Sequence, residues 1–263
     1  MGHESPATRW QGEQYAHHAG HHRALDEWFL DRHRPGPGDV VVDLGCGTGE
    51  FTARLAALVP EGRVVGIDND ASMLERARDH QRANLRFVQA EADRVDEVVD
   101  PASVDLVVSR AMLHWLPPGA RPGLFRAALA VLRPGGVLHS ESAATGNVRR
   151  VVELLAELAA RHGLPPPPVF PDPAEVLEEL EAAGFAVPAG GVRAVAQRRE
   201  LSAAELEGFL RTQATVALTR HASADLAARV VEDTVASMDR LRRHDGSFDQ
   251  TFVRLDALAR RPA

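Results

Sequence analysis

The stretch that decides the fold is residues 40–51, which read Val-Val-Val-Asp-Leu-Gly-Cys-Gly-Thr-Gly-Glu-Phe. A continuous β-branched run is typical of a strand that is buried on both faces of a parallel sheet. Glycines after such a strand allow a tight turn, in which the backbone can approach a ligand closely. Residues 63–67 form a second such run and are also followed by an acid, Asp68. We therefore predict a nucleotide-like ligand at the carboxyl edge of a doubly wound sheet.

The spacing of the glycines narrows the choice of ligand. The dinucleotide fingerprint is G-x-G-x-x-G, with a pyrophosphate at the helix N-terminus. Here the pattern is G-x-G-x-G and the sixth position is Glu50, whose carboxylate, like that of Asp43, would repel a phosphate. Asp68 lies 23 residues after Gly45, close to the interval of about 20 at which an acid meets a ribose hydroxyl. A ribose, a cationic end and no phosphate describe S-adenosylmethionine.

Several segments carry a family resemblance, namely 43–49, 66–70 with Met73, 87–92, 105–109 and 133–136. In these segments the chain resembles the class I S-adenosylmethionine-dependent methyltransferases, and the resemblance covers about residues 10–145. Tyr15 and residues 113–116 are, more loosely, similar to trans-aconitate methyltransferases and related small-molecule methyltransferases. One departure from the family pattern is Glu91, where aspartate is more common.

The alternation of strands and helices at short intervals predicts an α/β fold with helices on both faces of a parallel sheet. The resemblance implies a doubly wound, mostly parallel, seven-stranded Rossmann-like sheet with an added helical cap. Predicted strands occupy 40–44, 63–67, 85–88, 104–109, 137–142 and, antiparallel, 248–259, with two short strand-like runs within 185–201. Predicted helices occupy 10–33, 49–58, a segment that opens at 70–72, 94–99, 121–132, 147–162, 173–183 behind Asp172 as a cap, 202–221 and 223–243.

We expect one catalytic domain with three regions. Residues 1–34 are predicted to hold a lid helix, and residues 35–145 the S-adenosylmethionine-binding core. Residues 146–263 are predicted to complete the sheet. By resemblance, helices inserted there before the last strand would pack over the ligand cleft as a substrate cap.

The predicted cofactor roles follow the order of the strand ends. We expect the backbone of residues 45–47 and of Ser109 to face the methionine part of the cofactor, and Asp43 to orient its ammonium. Asp68 would accept hydrogen bonds from both ribose hydroxyls, and Glu91 would accept one from the adenine amino group. Asn69 and Met73 would flank the adenine, and Ala90 and Ala92 would line its ring. The other predicted cofactor-binding residues are Gly45, Cys46, Gly47 and Gly49.

Two candidates for the acceptor side follow the fourth predicted strand. Arg110 can clamp a substrate carboxylate with two parallel hydrogen bonds. An ion pair between Arg110 and a nearby acid is the alternative interpretation, and it would contribute little. His114 is predicted to contact cofactor or substrate, whereas Trp115 and Leu116 are expected in the core.

The N-terminal helix supplies further candidates. His17, His18, His21 and His22 form two pairs at i, i+4, a spacing that can chelate zinc. With no cysteine or clustered acid to complete such a site, we expect no metal and predict a lid with Tyr15 and one histidine face toward the cleft. His18 is then a candidate general base, and His139 and Glu141, which share one side of the fifth strand, are rivals. Simple packing of those two residues is the alternative.

The composition of the chain limits which classes of partner we expect. The 263-residue chain has a formal net charge of −7 and no lysine, since all 30 basic residues are arginine. An acidic balance disfavours a nucleic-acid partner, whose backbone requires a basic surface. Cys46 is the single cysteine, which favours a reducing compartment. We see no signal-like N-terminus and no apolar run of spanning length, so we expect a cytoplasmic monomer or homodimer without a membrane partner.

The predicted activity is in-line methyl transfer from S-adenosylmethionine to a small organic acceptor, for example in natural-product metabolism. The acceptor atom is left open among a carboxylate, a phenol or enol and a carbon nucleophile. One rival is a protein of the same fold that uses the sulfonium for catalysis without transferring methyl. A less favoured rival is an NAD-dependent oxidoreductase, against which Asp43 and Glu50 argue.

Overall fold

A computed structural model of the chain describes residues 20–220 and 222–263, with only the backbone described at 20–25 and 118. Seven strands of the described residues form one sheet, and this number was predicted. They are β1 (Val40–Leu44), β2 (Arg63–Asp68), β3 (Leu85–Gln89), β4 (Val104–Arg110), β5 (Leu132–Ala143), β6 (Val192–Leu201) and β7 (Phe248–Arg260). Their order across the sheet is β3-β2-β1-β4-β5-β7-β6.

The direction of the strands places the ligand crevice. Strands β1 to β5 pair in parallel, and β7 runs antiparallel to β5. The strand order reverses between β1 and β4, because β2 lies on one side of β1 and β4 on the other. Ligands of open α/β sheets bind at such a switch point, outside the carboxyl ends of the strands.

The helices of the described residues follow the predicted alternation. They are α1 (Gly20–Arg32), α2 (Glu50–Leu58), α3 (Ala71–Ala77), α4 (Arg121–Val131), α5 (Arg149–His162), α6 (Pro173–Ala183), α7 (Ala203–Phe209), α8 (Val216–Thr219) and α9 (Ala224–Ala236). Asp172 caps α6 as predicted, because its carboxylate accepts the backbone N–H of Ala174 at 2.8 Å. Residues 10–19 of the predicted first helix lie outside the described residues.

Several predicted elements differ from those observed. The helix predicted at 223–243 ends at Ala236 and is followed by a 3₁₀ turn at Met238–Leu241. Ala92–Glu97 forms a 3₁₀ turn instead of a helix at 94–99, and a single strand, β6, replaces the two short runs predicted within 185–201. The helix predicted at 202–221 is interrupted by a π turn at Leu210–Ala214. There the Thr215 hydroxyl donates to the carbonyl of Leu210 at 3.0 Å, and a side chain that bonds the preceding turn can widen a helix.

The described chain divides into two compact units. One holds residues 22–145, 169–195 and 253–263, and its core packs apolar side chains on both faces of the sheet. The other holds residues 146–168 and 196–252, and α5, α7 and α9 contribute to a core of its own that includes Val151, Leu155, Leu158, Leu206 and Val230. The predicted division into three regions and the role of a substrate cap stay predictions.

Within the described residues, no helix combines the length and the apolar composition that crossing a bilayer requires.

Candidate active site

The glycine turn after β1 is fixed to the end of β2. The backbone N–H groups of Gly45 and Cys46 both donate to the carbonyl of Ile67, at 2.8 and 2.9 Å. Gly45 and Gly47 have φ values of +72° and +55°, in the left-handed region that favours glycine. The turn leads directly into α2, which begins at Glu50. The carboxyl ends of β1 and β2 therefore form one connected edge.

Two of these glycines face different surroundings. A Cβ at Gly45 would lie 2.5 Å from Cγ of Met112, so protein atoms already occupy that space. A Cβ at Gly47 would find no heavy atom within 4 Å. Backbone that is left uncovered in this way can be approached closely by a ligand. The open space at Gly47 therefore fits the predicted cofactor.

We expect alanine at these two positions to have opposite consequences. Gly45→Ala should lower the unfolding midpoint markedly, because the new methyl group collides with Met112 and the backbone is strained. Gly47→Ala should cost only about 1 kcal/mol of backbone strain, yet weaken cofactor binding because its methyl group enters the open space. Thermal unfolding and calorimetry with S-adenosylhomocysteine measure both effects. Unchanged affinity in Gly47→Ala would show that the ligand does not lie there.

Asp43 is a buried acid at the end of β1. Only 2% of its surface is exposed, and its carboxylate accepts a hydrogen bond of 2.7 Å from the Thr52 hydroxyl. Burial raises the pKa of Asp43 to about 7, although the Thr52 hydrogen bond and the charge of Arg110 act in the opposite direction. The negative form of this side chain is therefore costly in the ligand-free protein. A cationic ligand would relieve that cost.

Asp68 holds the turn and the end of β2 together. One carboxylate oxygen accepts the backbone N–H of Gly47 at 2.9 Å, and the other accepts that of Asp70 at 2.9 Å. Burial raises the pKa of Asp68, while these backbone hydrogen bonds oppose the rise. A carboxylate has about four acceptor positions, so this one keeps acceptor capacity for a ribose hydroxyl.

The residues predicted around the adenine lie next to one another. The side-chain amide of Asn69 donates to Glu91 at 3.1 Å, and that of Gln89 donates to the backbone carbonyl of Asn69 at 3.1 Å. Met73 is buried at the start of α3, whereas Asn69 and Glu91 are exposed. Ala90 and Ala92 are partly buried against the core. Asn69 and Glu91, which were both predicted to bind the cofactor, are thus in contact where β2 and β3 end.

Ser109 of β4 adds a buried polar atom to this edge. The residue pairs with Leu44 of β1 and is 1% exposed. Its Oγ has no hydrogen-bond partner among the described residues. Buried hydroxyls without a partner are uncommon, and a bound ligand or water often supplies the missing bond. The predicted contribution of Ser109 was its backbone, so the side chain is an addition to the site.

Arg110 is held by the first two helices. It forms an ion pair with Asp26 of α1, which also pairs with Arg54 at 3.1 Å, and its guanidinium lies 4.5 Å from the ring centroid of Phe51. A cation over an aromatic face is stabilised by the ring quadrupole. These contacts favour the ion-pair interpretation of Arg110. Its role as a substrate clamp stays a prediction.

His114 is an uncharged imidazole. Its Nδ1 accepts the backbone N–H of Ala143 at 3.4 Å, which leaves Nε2 as the protonated nitrogen. Burial and the charge of Arg254 lower the pKa of His114 to about 3. The ring also packs near Trp115 and Phe170. A histidine with so low a pKa is a weak base at neutral pH.

His139 is held by packing and by one buried acid. Its ring stacks on Phe29 with centroids 3.7 Å apart, and Nε2 lies 3.1 Å from Asp256. Burial lowers the pKa of His139. Asp256 also pairs with Arg32 of α1 and with Arg193 of β6. These contacts support the packing interpretation of His139 over that of a general base.

Glu141 and Arg254 form an ion pair across β5 and β7. Glu141 is fully buried, and Arg254 is 8% exposed. Arg254 was not among the predicted residues. One signal was available, since Arg254 and Asp256 place two charges at alternate positions of the otherwise apolar stretch 252–259.

The candidates of the N-terminal helix lie outside the described side chains. They are Tyr15, His17, His18, His21 and His22. The lid, the general base and the zinc alternative that depend on them stay predictions. Among the side chains that the structure does describe, no cluster of three or more metal-ligating groups occurs.

Comparison with known proteins gives the following matches. Residues 41–136 match a family described as a methyltransferase domain. A trans-aconitate 2-methyltransferase of Deinococcus radiodurans is 47% identical over 98 residues, which are 37% of this chain and 35% of that protein. A trans-aconitate 2-methyltransferase of Streptomyces coelicolor is 39% identical over 142 residues, which are 51% of this chain and 45% of that protein. The match thus spans less than half the length of either relative.

A solved structure covers more of the chain. Phosphoethanolamine N-methyltransferase 2 of Haemonchus contortus, in complex with S-adenosyl-L-methionine, has a TM-score of 0.61 and 17% identity. The similarity covers 96% of this chain and 57% of that one. It confirms the predicted fold, and the match over 41–136 confirms the predicted resemblance.

Proposed function

We propose that this chain, whose residues 41–136 match the methyltransferase domain family, transfers methyl from S-adenosylmethionine to a small organic acceptor. The observation that carries this proposal is the pair of acids beside the open space at Gly47. Asp43 is buried with a raised pKa, and Asp68 accepts the Gly47 backbone N–H while keeping free acceptor positions. An ammonium and a ribose suit these two acids, whereas a phosphate suits neither.

When bound, the cofactor supplies a methyl group that is already activated on a sulfonium. Asp43 would hold the ammonium end, Asp68 the ribose, and Asn69 with Glu91 the adenine. What the chain must add is alignment of the acceptor and exclusion of water. Alignment of this kind contributes about 7–11 kcal/mol to lowering a barrier.

Among the described residues, the histidines near the strand ends favour an acceptor that needs no base. Burial lowers the pKa of both His114 and His139. A phenol or enol requires removal of a proton, whereas a carboxylate carries its negative charge already. The two curated relatives described above are named for methylation of trans-aconitate, a carboxylate. We therefore favour a carboxylic acid as acceptor.

We further propose that the chain acts in the cytoplasm on a small molecule and not on nucleic acid, as a monomer or homodimer. Its net charge of −7 and its single cysteine support this proposal.

An assay of S-adenosylhomocysteine release tests the activity. The full chain is incubated with S-adenosylmethionine and a panel of small carboxylic acids and phenols. We expect release only with an acceptor, together with a methylated product found by mass spectrometry. Conversion of an acceptor without release would support the non-methylating rival. A chain that binds neither S-adenosylmethionine nor S-adenosylhomocysteine in calorimetry would contradict the proposal altogether.

A further inference from the structure

We propose that Glu141 and Arg254 bind the acceptor and select a carboxylic acid that carries a hydroxyl or amino group near its carboxylate. Arg254 would bind the carboxylate, and Glu141 would accept the hydrogen bond of the neighbouring O–H or N–H group. The inference rests on the proposed function, because it concerns the acceptor of that reaction. Both residues lie outside the matched family region of 41–136.

The pair is built by the register of β5 and β7. Glu141 stands opposite Asp256, and Ala143 stands opposite Arg254. Nε of Arg254 donates to Oε1 of Glu141. The other half of each group is unsatisfied, since Nη2 of Arg254 and Oε2 of Glu141 are buried without a hydrogen-bond partner among the described residues.

Leaving two buried polar atoms without partners is costly in a purely structural ion pair. A buried polar atom without a partner costs about 1–3 kcal/mol, and more in a charged group. The neighbouring Asp256 shows the contrast, because it engages His139, Arg32 and Arg193. The half-satisfied state of Glu141 and Arg254 is therefore best explained by a ligand that completes both groups.

These two unsatisfied atoms define which groups the ligand must carry. Nη2 of Arg254 is a donor on a planar cation, which suits a carboxylate oxygen. Oε2 of Glu141 is an acceptor, which suits an O–H or N–H group. His114, whose pKa is lowered in part by the charge of Arg254, adds no competing charge. A carboxylate with a neighbouring donor satisfies both atoms.

The pair lies where an acceptor can meet the cofactor. Asp43 is in register with Val108, and Val108 with His139, so Glu141, two residues further along β5, shares the face of Asp43. Neighbouring strands are about 5 Å apart, which places β5 about 10 Å from β1. Between them, the charge of Arg110 is neutralised by Asp26. The acceptor would thus lie beside the methionine part of the cofactor.

Calorimetry on the chain saturated with S-adenosylhomocysteine tests this proposal with three matched probes, L-malate, L-aspartate and succinate. Malate and aspartate carry a donor beside a carboxylate, and succinate does not. We expect malate and aspartate each to bind at least about tenfold more tightly than succinate, because each can donate one additional hydrogen bond to the charged Glu141. Equal affinities, or no saturable binding of any probe, would overturn the proposal.

Two variants locate the effect. Glu141→Gln should reduce the ratio of malate to succinate affinity, because it removes the charge that strengthens the hydrogen bond from the malate hydroxyl. Arg254→Met alone would leave Glu141 buried and unpaired, and the chain could fail to fold. The double variant Arg254→Met/Glu141→Leu removes both charges, and such replacements are often tolerated. It should bind the acids at least tenfold more weakly and retain its affinity for S-adenosylhomocysteine.

A matched control is Arg193→Met, which removes an arginine that pairs with Asp256 and is half exposed. It should leave the affinities for all three probes unchanged. If the double variant binds the acids as the native chain does, Arg254 and Glu141 have no role in acceptor binding. If the native chain fails to bind S-adenosylhomocysteine, the proposed function fails instead, and the two failures are thereby distinguished.

Discussion

Replacing Asp43 with asparagine is expected to stabilise the ligand-free chain at pH 8 and to weaken its binding of S-adenosylmethionine. Asparagine keeps an oxygen that can accept the Thr52 hydroxyl, so the hydrogen bond at 2.7 Å can persist. It removes the buried negative charge. Stability and cofactor affinity should therefore change in opposite directions, as is common at functional sites.

The sign and size of the stability change follow from the pKa of Asp43. Burial raises this pKa from 3.8 to about 7 in the folded chain. Between these values the folded state binds more protons than the unfolded state, so the free energy of unfolding falls as pH rises from about 4 to 7. The loss is complete above pH 7 and absent below pH 3.8. At about 1.4 kcal/mol per pKa unit, the gain in Asp43→Asn at pH 8 is on the order of 4 kcal/mol.

Denaturant unfolding at pH 4.5 and pH 8 measures the stability change, and calorimetry measures the affinity. The gain should be much smaller at the lower pH, and binding should weaken about 10–100-fold through loss of one charge-assisted contact. Asp39→Asn, at the amino end of the same strand, is the control and should leave affinity unchanged. A destabilised Asp43→Asn at pH 8 would contradict the interpretation of Asp43 as a costly charge.

Replacing Asp68 with alanine should reduce affinity for S-adenosylhomocysteine by about 100-fold or more. Two hydrogen bonds to a charged group would be lost, each worth about 1.5–3 kcal/mol. The backbone N–H groups of Gly47 and Asp70 would also lose their acceptor. Because those two bonds hold the turn against β2, the loss should exceed that of the ribose contacts alone.

Calorimetry on Asp68→Ala, with circular dichroism to verify the fold, measures this effect. Asp70→Ala is a matched control, because this acid lies two residues away and caps α3 through Ser72 and Met73. It should lose about 1 kcal/mol of stability with little change in affinity. Equal loss of affinity in both variants would show that the effect comes from the local fold and not from a ribose contact.

The strands around the site could be predicted because each is encoded by its own run of β-branched residues. β1 and β2 are β-branched runs that stay buried on both faces, and the structure gives β1 the predicted bounds and extends β2 by one residue. β6 is largely exposed and polar, so its continuity depends on its place beside β7 and not on its composition. At the π turn Leu210–Ala214 the Thr215 hydroxyl and backbone N–H both donate to the carbonyl of Leu210, and hydrophobic periodicity does not reveal such bonds.

Part of the candidate site could likewise be predicted from the sequence, and part could not. Asp43 and Asp68 lie near the carboxyl ends of consecutive strands, so chain order alone places them at one edge. The structure shows these strand ends joined through the glycine turn. Glu141 and Arg254 are 113 residues apart and meet only because β7 returns antiparallel to β5. No spacing rule connects residues across that distance. A pair made by tertiary pairing was therefore beyond the reach of the sequence pattern.

The burial of Asp43 makes a proton and the cation of the ligand competitors for the same carboxylate. Near pH 6.5 a large share of ligand-free molecules carries that proton, and binding of an ammonium would expel it into the solvent. The apparent enthalpy of binding should then vary with the ionisation enthalpy of the buffer. Affinity should likewise rise as the medium becomes more alkaline up to about pH 7, so that cofactor occupancy in this chain responds to acidification.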